Sequence, residues 1–236
     1  MTKLLKPLAI LALLGFPIAL LLYRFGIIDF GKSFMLLMGS GLLAAVIFLV
    51  SLLVSIIKRS DRSIAKPATT AMIIALIPLL GLGSQAFKGR SLPQIHNIST
   101  DLVDPPAFNA VVALRGENSN PLEYNIAELA AVQKSAYPNV RTLNLNEDPQ
   151  AVYTKAVALV KELGWQMVAA DNAALLIEAT ETTSLWQFKD DVVIRIRPEQ
   201  QGTGSVVDMR SVSRIGRSDL GANAARIEGF LSKLKP

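Results

Sequence analysis

Three stretches without a single charged residue dominate the first ninety positions of the chain. Seventeen such residues lie between Lys6 and Arg24, 25 between Lys32 and Lys58, and 21 between Lys66 and Lys88. A helix rising about 1.5 Å per residue needs about 20 apolar residues to cross the hydrocarbon core of a bilayer. No water pairs the backbone amides there, so such runs are helical. The sequence therefore predicts a three-helix transmembrane anchor over residues 1–90, with spans at about 7–23, 34–57 and 68–87. Pro17 and Pro78 fall inside the first and third spans, where membrane helices tolerate a kink. The first span, led by Lys3 and Lys6, also reads as a signal peptide. No small-x-small cleavage site precedes Tyr23 and Arg24, and two spans follow, so an uncleaved anchor is expected.

Charge sets the orientation. Lys3 and Lys6 precede the first span, and Lys58, Arg59, Arg62 and Lys66 occupy the second loop. The first loop has only Arg24 and Lys32 against Asp29. Positive-inside bias places the N-terminus and second loop in the cytoplasm. Three crossings then deliver the rest of the chain to the outer side, the periplasm of a bacterial inner membrane. The third span decides this. Lys88 and Arg90 flank it on the outer side, and a failure to cross would leave the domain cytoplasmic. Residues 1–90 hold ten Lys/Arg against two acids, whereas the remainder holds 14 against 17. The basic pI of 9.5 thus belongs to the membrane flanks. It gives no support to nucleic-acid binding, which needs a basic face on the folded domain. Cysteine is absent, which excludes disulfides, thiolate metal sites and a cysteine nucleophile.

Residues 91–236 predict one soluble α+β domain. Pro93, Pro105 and Pro106 forbid continuous helix after Ser91, so the chain leaves the membrane as an extended strap. Glu123 to Ser135 reads as a short helix. A second starts at Pro149, carries Val152, Ala156, Val160 and Leu163 on one face, and stops at Gly164. Four strands follow: Trp165 to Ala170, Ala173 to Thr182 across an Asp171-Asn172 turn, Phe188 to Pro198, and Ser205 to Ser213. The hairpin between the last two is expected to turn near Gln201. Ser218 is the expected N-cap of a final helix with a stripe of Leu220, Ala224, Ile227, Leu231 and Leu234. The expected architecture is a four-stranded antiparallel sheet covered on one face by two helices.

The charge-rich strands supply the candidate ligand or partner surface: Asp190, Asp191, Arg195, Arg197, Asp208, Arg210, Arg214 and Asp219. An arginine-lined sheet face would grip an anionic ligand, since the guanidinium fork matches carboxylate and phosphate. The mixed signs favour the other reading, a solvated face laced with cross-strand ion pairs. His96, the lone histidine, stands near Ser99 and Asp101, but closeness in an extended segment does not make a triad. A ring bonded to backbone is expected instead. No P-loop, dinucleotide fingerprint or HExxH run occurs, so no cofactor and no metal site is expected.

The segments LPQIHNISTDLVDPPAF, Ala136-Tyr137-Pro138, GWQMVAAD, FKDDVVIRIRP and RSVSRIGRSDLGANAARI together resemble the family catalogued as domain of unknown function 1499, over about Leu92 to Leu234. Asn97 stands where its members often carry aspartate. The resemblance implies a membrane-tethered or lumenal domain and brings no activity, so no catalytic residue is carried over. The expected role is a membrane-anchored periplasmic binding or assembly module, its partners the lipid bilayer and another membrane or envelope protein. The alternative is an envelope hydrolase or small-ligand enzyme using the Asp/Arg cluster and His96.

Overall fold

A computed structural model describes residues 2–200 and 202–236, and the chain divides into two compact units, Met1–Arg90 and Ser91–Pro236. The first unit contains α1 (Thr2–Arg24), α2 (Phe30–Ile57) and α3 (Arg62–Ser91). All three are long and apolar enough to cross a membrane. They run without interruption through Pro7, Pro17, Pro67 and Pro78. Asp29 caps α2, its carboxylate accepting the Lys32 N–H at 3.0 Å. The seam between the helices is built from small side chains: Ala9 and Ala12 of α1, Ala44 of α2, and Ala68, Ala71 and Ala75 of α3. Small residues let membrane helices approach closely, where dispersion rather than water exclusion holds them. Ser33 Oγ donates to the Ala19 carbonyl at 2.7 Å, and Ser55 Oγ meets Thr69 Oγ1 at 3.2 Å. Large residues such as Leu11, Leu42, Leu53 and Ile77 point outward, where acyl chains meet them.

The second unit is an α+β domain. In order it comprises β1 (Asn97–Ser99), a 3₁₀ turn (Ala110–Leu114), α4 (Ile126–Ala136), β2 (Leu143–Leu145) and α5 (Pro149–Glu162). Then follow β3 (Gln166–Asp171), β4 (Leu176–Thr182), β5 (Lys189–Pro198), β6 (Ser205–Ser213) and α6 (Ala222–Leu234). The sheet has six strands rather than four. The order is β1-β6-β5-β4-β3, every pairing is antiparallel, and β2 also pairs with β6. The two additional strands share one edge of β6: Asn97–Ser99 lie against Arg210–Val212, and Leu143–Leu145 against Val207–Ser205. Each is three residues long, too short for a period-2 pattern to stand out in sequence. They leave β6 an interior strand, with its ladder paired on both sides.

Local chemistry sets the boundaries. Asp148 caps α5 through the N–H groups of Gln150 and Ala151, and Gly164, at φ +71°, ends it. The β3–β4 turn is longer than the expected Asp171-Asn172 pair. The Asp171 carboxylate accepts the N–H groups of Ala173 and Ala174, Leu175 adopts φ +51°, and pairing begins at Leu176. Ser218 is not the N-cap of α6. Gly221 at φ +82° holds that position, while Asp219 accepts the N–H groups of Gly221 and Asn223 at 2.8 Å each. Gln201 lies outside the described residues, but the register beside it is fixed by Pro198 opposite Ser205 and Arg195 opposite Asp208.

Val192, Ile194 and Ile196 of β5, with Val207 and Met209 of β6 and Ile177 of β4, form one apolar face. Val152, Ala156 and Val160 of α5 and Ile227, Phe230 and Leu231 of α6 cover it. Phe230 stacks on Trp165 with centroids 5.5 Å apart. The opposite face is covered as well, by the strap between Thr100 and Leu122, and this is the second departure from the expected one-sided sheet. Both tryptophans lie in this unit, so their fluorescence reports on it alone. Phe230→Ala deletes a fully buried ring and is expected to cost about 3–5 kcal/mol. Urea unfolding of the detergent-solubilised chain, followed by tryptophan emission, measures it.

Candidate functional site

Strand alternation sorts the charged residues onto two faces. On the strap side lie Glu178 and Thr180 of β4, Asp191, Arg195 and Arg197 of β5, and Asp208 and Arg210 of β6. On the helix side lie Glu181, Asp190 and Ser211. The strap-side groups are not solvated. Asp191 and Asp208 have no exposed surface, and Arg210 retains 4%. A bare buried carboxylate costs several kcal/mol, so each must find cations and donors inside the protein.

Asp208 finds them at the open end of the strap. Its Oδ2 accepts Arg197 Nη2 at 2.5 Å with Arg195 Nη2 at 3.5 Å, and its Oδ1 accepts the hydroxyls of Thr142 and Thr100 at 2.6 and 3.1 Å. Arg195 continues to the strap, donating to the Asp104 carboxylate at 2.8 Å and to its carbonyl at 2.7 Å. Asp101 stands 3.3 and 3.4 Å from Arg195 and Arg197 and accepts the N–H groups of Val103 and Asp104. Burial alone would raise the Asp101 carboxyl, but those backbone donors and the two guanidinium groups outweigh it and hold it below the usual range.

Asp191 anchors the far end of the strap. Arg214 grips it through Nε and Nη2 at 3.0 and 2.8 Å, Arg115 from the strap shares the Oδ2 that Arg214 Nε reaches, and Thr180 Oγ1 donates to Oδ1 at 2.8 Å. Arg214 also reaches the Leu114 carbonyl at 2.7 Å. Beside it, Glu178 accepts three strap N–H groups, those of Asn109, Ala110 and Val111, at 2.9 Å each. A carboxylate buried in the sheet here serves as the cap of the 3₁₀ turn above it.

Arg210 sits between these anchors and, among the described residues, has no carboxylate partner. Its Nε donates to Asn97 Oδ1 at 3.0 Å, Nη1 to the Pro106 carbonyl at 3.1 Å, and Nη2 to the Leu122 carbonyl. Its guanidinium carbon lies 5.2 and 5.7 Å from the ring centroids of Phe108 and Tyr124, a cation–π cage. Burial lowers Arg210 to about 10 and raises the Tyr124 hydroxyl to about 12. That hydroxyl donates to Gln133 Oε1 at 2.9 Å, and Gln133 pairs both ways with the backbone of Ser99.

The remaining candidates lie elsewhere. Asp190 and Glu181 meet Arg226 of α6 at 2.5 and 2.7 Å on the helix side. Asp219 caps α6 as described, its carboxyl raised by burial against the two N–H bonds that oppose it. His96 Nδ1 lies 3.4 Å from the Arg217 carbonyl oxygen, while Ser99 Oγ donates to the Asp101 carbonyl and Asp101 turns to the arginines. The three residues do not converge. Sequence reasoning did not single out Arg115, Glu178, Arg226 or Gln133. The one available signal was Glu178, a lone acid amid the apolar run of its strand. Among the described residues no group of three metal-ligating side chains is found.

Three apolar helices joined to a sheet whose charged face is sealed by a strap define a multi-pass membrane-anchored protein with an α+β domain. Residues 97–234, from β1 to the end of α6, match the family described as protein of unknown function (DUF1499), and the chain belongs to that family. No curated protein matches the chain.

Asp191→Ala leaves Arg115 and Arg214 unneutralised in a buried setting and is expected to cost about 3–5 kcal/mol. Limited proteolysis should then cut between residues 100 and 122, a segment expected to resist in the parent. For Asp219 the folded carboxyl is raised, so its protonated form is favoured by folding. That contribution is present below the ordinary value of 3.8 and is lost as pH rises through the raised folded value. Asp219→Asn should therefore flatten the fall in stability across that window, read as urea midpoints taken from pH 3.5 upward.

Proposed function

We propose that this chain is a bacterial inner-membrane protein with a cytoplasmic N-terminus. Its second unit stands in the periplasm as a non-enzymatic binding or assembly module for an envelope protein, lipid or polymer. The observation that carries this reading is how the charged groups are spent. Asp190, Asp191 and Asp208 each pair with arginines of the same domain, so their chemistry goes into clamping helix and strap to the sheet. Asp190 leaves the sheet on the opposite face from Arg195 and Arg210, and the His96 ring turns to a backbone carbonyl. An envelope hydrolase built on these residues would need them around one cleft.

What the clamped strap offers outward suits a partner. Val112 and Leu114 are exposed on its 3₁₀ turn, and Val103 is exposed at the other end, next to the half-open ion pair of Arg197 and Asp104. An apolar patch edged by polar groups is the usual anatomy of a protein-binding surface. The proposed ligand or partner surface thus keeps Arg195, Arg197 and Asp101 at its rim, with Asp190, Asp191, Asp208, Arg210, Arg214 and Asp219 holding its shape. The location rests on the cations gathered in the first turns of α1 and around the junction of α2 and α3.

Two measurements test this. Alkaline phosphatase fused after Pro236 should be active, and a green fluorescent reporter at the same place dark; fluorescence alone would overturn the periplasmic location. A partner recovered with the full chain from gently solubilised membranes should be lost in Val112→Asp and Leu114→Asp, whose unfolding midpoints stay near the parent's. An unchanged set of co-purifying proteins would overturn the strap as the docking face.

A further inference from the structure

At the end of the first unit where α1 begins, α2 ends and α3 begins, an open hollow of about 380 Å³ is lined by Lys6 of α1 and by Arg62, Ser63, Lys66, Pro67 and Thr70 of α3. Spacing accounts for the wall. Arg62, Lys66 and Thr70 follow one another at four-residue intervals, and Ser63 and Pro67 form the adjoining row, so one face of α3 looks into the hollow. Lys6, from the first turns of α1, closes the other side.

Three cations therefore share one concave site, and among the described residues none of them is ion-paired. The one acid of this loop, Asp61, is held by Ser63, whose N–H and Oγ donate to it at 3.0 and 2.6 Å. Lys3, Lys58 and Arg59 stand at the same helix ends and add to the positive potential. Lys6, Arg62 and Lys66 are exposed and within reach of headgroups. Like charges on one wall repel, and a chain that needed only solubility here would intersperse acids, as the second unit does throughout. An anion that reaches this spot would relieve the repulsion, and Pro67 and the aliphatic stems of the cations give the hollow an apolar lining. The surrounding residues, from Ile64 to Ile74 and Leu4 to Leu11, belong to helices that cross the bilayer.

We propose that this hollow holds the headgroup of one anionic phospholipid, with Lys6, Arg62 and Lys66 on the phosphate and Ser63 and Thr70 beside the glycerol. A phosphate at the end of two acyl chains arrives at this depth already tethered, so the cations need not desolvate a free ion. Its apolar portion continues along the outward Leu and Ile side chains of α1 and α3. A basic pocket between membrane helices is a setting in which anionic headgroups are recognised. The site does not depend on which side of the membrane the second unit occupies, because the lipid can be supplied to either leaflet.

The test uses the full chain, delipidated in a neutral detergent and examined by native mass spectrometry with added phosphatidylglycerol, phosphatidylcholine or inorganic phosphate. One phosphatidylglycerol should be retained in preference to phosphatidylcholine. Arg62→Gln with Lys66→Gln should weaken it about twenty-five-fold, about fivefold for each cation. The charge-preserving pair Arg62→Lys with Lys66→Arg should retain it, and Lys32→Gln with Arg90→Gln, at the opposite helix ends, should leave it unchanged. Equal retention of phosphatidylcholine, or equal loss in the opposite-end pair, would overturn the site. Displacement of the lipid by millimolar inorganic phosphate would overturn its assignment to a lipid headgroup. Far-ultraviolet circular dichroism, which reads the membrane helices as well as the second unit, checks that every variant remains folded.

Discussion

Two carboxylates with no exposed surface, Asp191 and Asp208, set the terms for the whole second unit. Removing a carboxylate from water costs more than any one hydrogen bond returns, so the fold must surround each with cations and donors. The sheet and the residue that follows β6 supply several of them: Thr180 and Arg214 beside Asp191, and Arg195 and Arg197 beside Asp208. The strap adds Arg115 and Thr100, and Thr142, before β2, adds one more hydroxyl. The strap is therefore no loose connection between membrane and domain. It is the second covering layer of the sheet, and its position follows from charge neutralisation as the positions of α5 and α6 follow from apolar burial.

In the first unit a different requirement rules, since hydrocarbon offers no partner to a backbone amide. That demand is met by continuous helices, and it explains why the three membrane helices were legible from sequence before any chemistry was. Counting uncharged residues between Lys6 and Arg24 already placed α1, because nothing outside the segment competes for its backbone. The helices and long strands of the second unit were legible for a related reason. Val192, Ile194 and Ile196 share one face by a period of two, and the α6 stripe repeats at three and four, so local sequence and final environment agree.

What escaped sequence reading depends on partners far along the chain. β1 and β2 exist only because β6 offers an unpaired edge to two short segments, 113 and 64 residues away where Ile98 meets Ser211 and Leu143 meets Val207. The covered charged face escaped for the same reason. Arg195 opposite Asp208 was predictable from the hairpin, but Arg115 reaching Asp191 across 76 residues was not. The cap of α6 shows the error on a smaller scale. Ser218 has the right chemistry, yet Gly221 takes the left-handed position, and Asp219 can then reach two amide groups instead of one.

Along the strap the anchors differ in kind, and that difference orders their strength. At one end Arg197 and Asp104 have side chains 42% and 68% exposed, so water screens their attraction and little is lost when they part. In the middle Arg210 holds carbonyl oxygens and aromatic faces, neutral partners that keep a buried cation satisfied without cancelling its charge. At the other end Glu178 and Asp191 are dry and bind the strap through three amides and an arginine. Local opening begins where the fewest buried contacts must break, which here is the segment around Asp101 to Asp104. The 3₁₀ turn from Ala110 to Leu114 stays fixed meanwhile, because releasing it would leave the buried Glu178 carboxylate without its three amide donors and Asp191 without Arg115. The outward Val112 and Leu114 ride on that fixed end, so the most exposed apolar residues of the turn are also presented on its most rigid support.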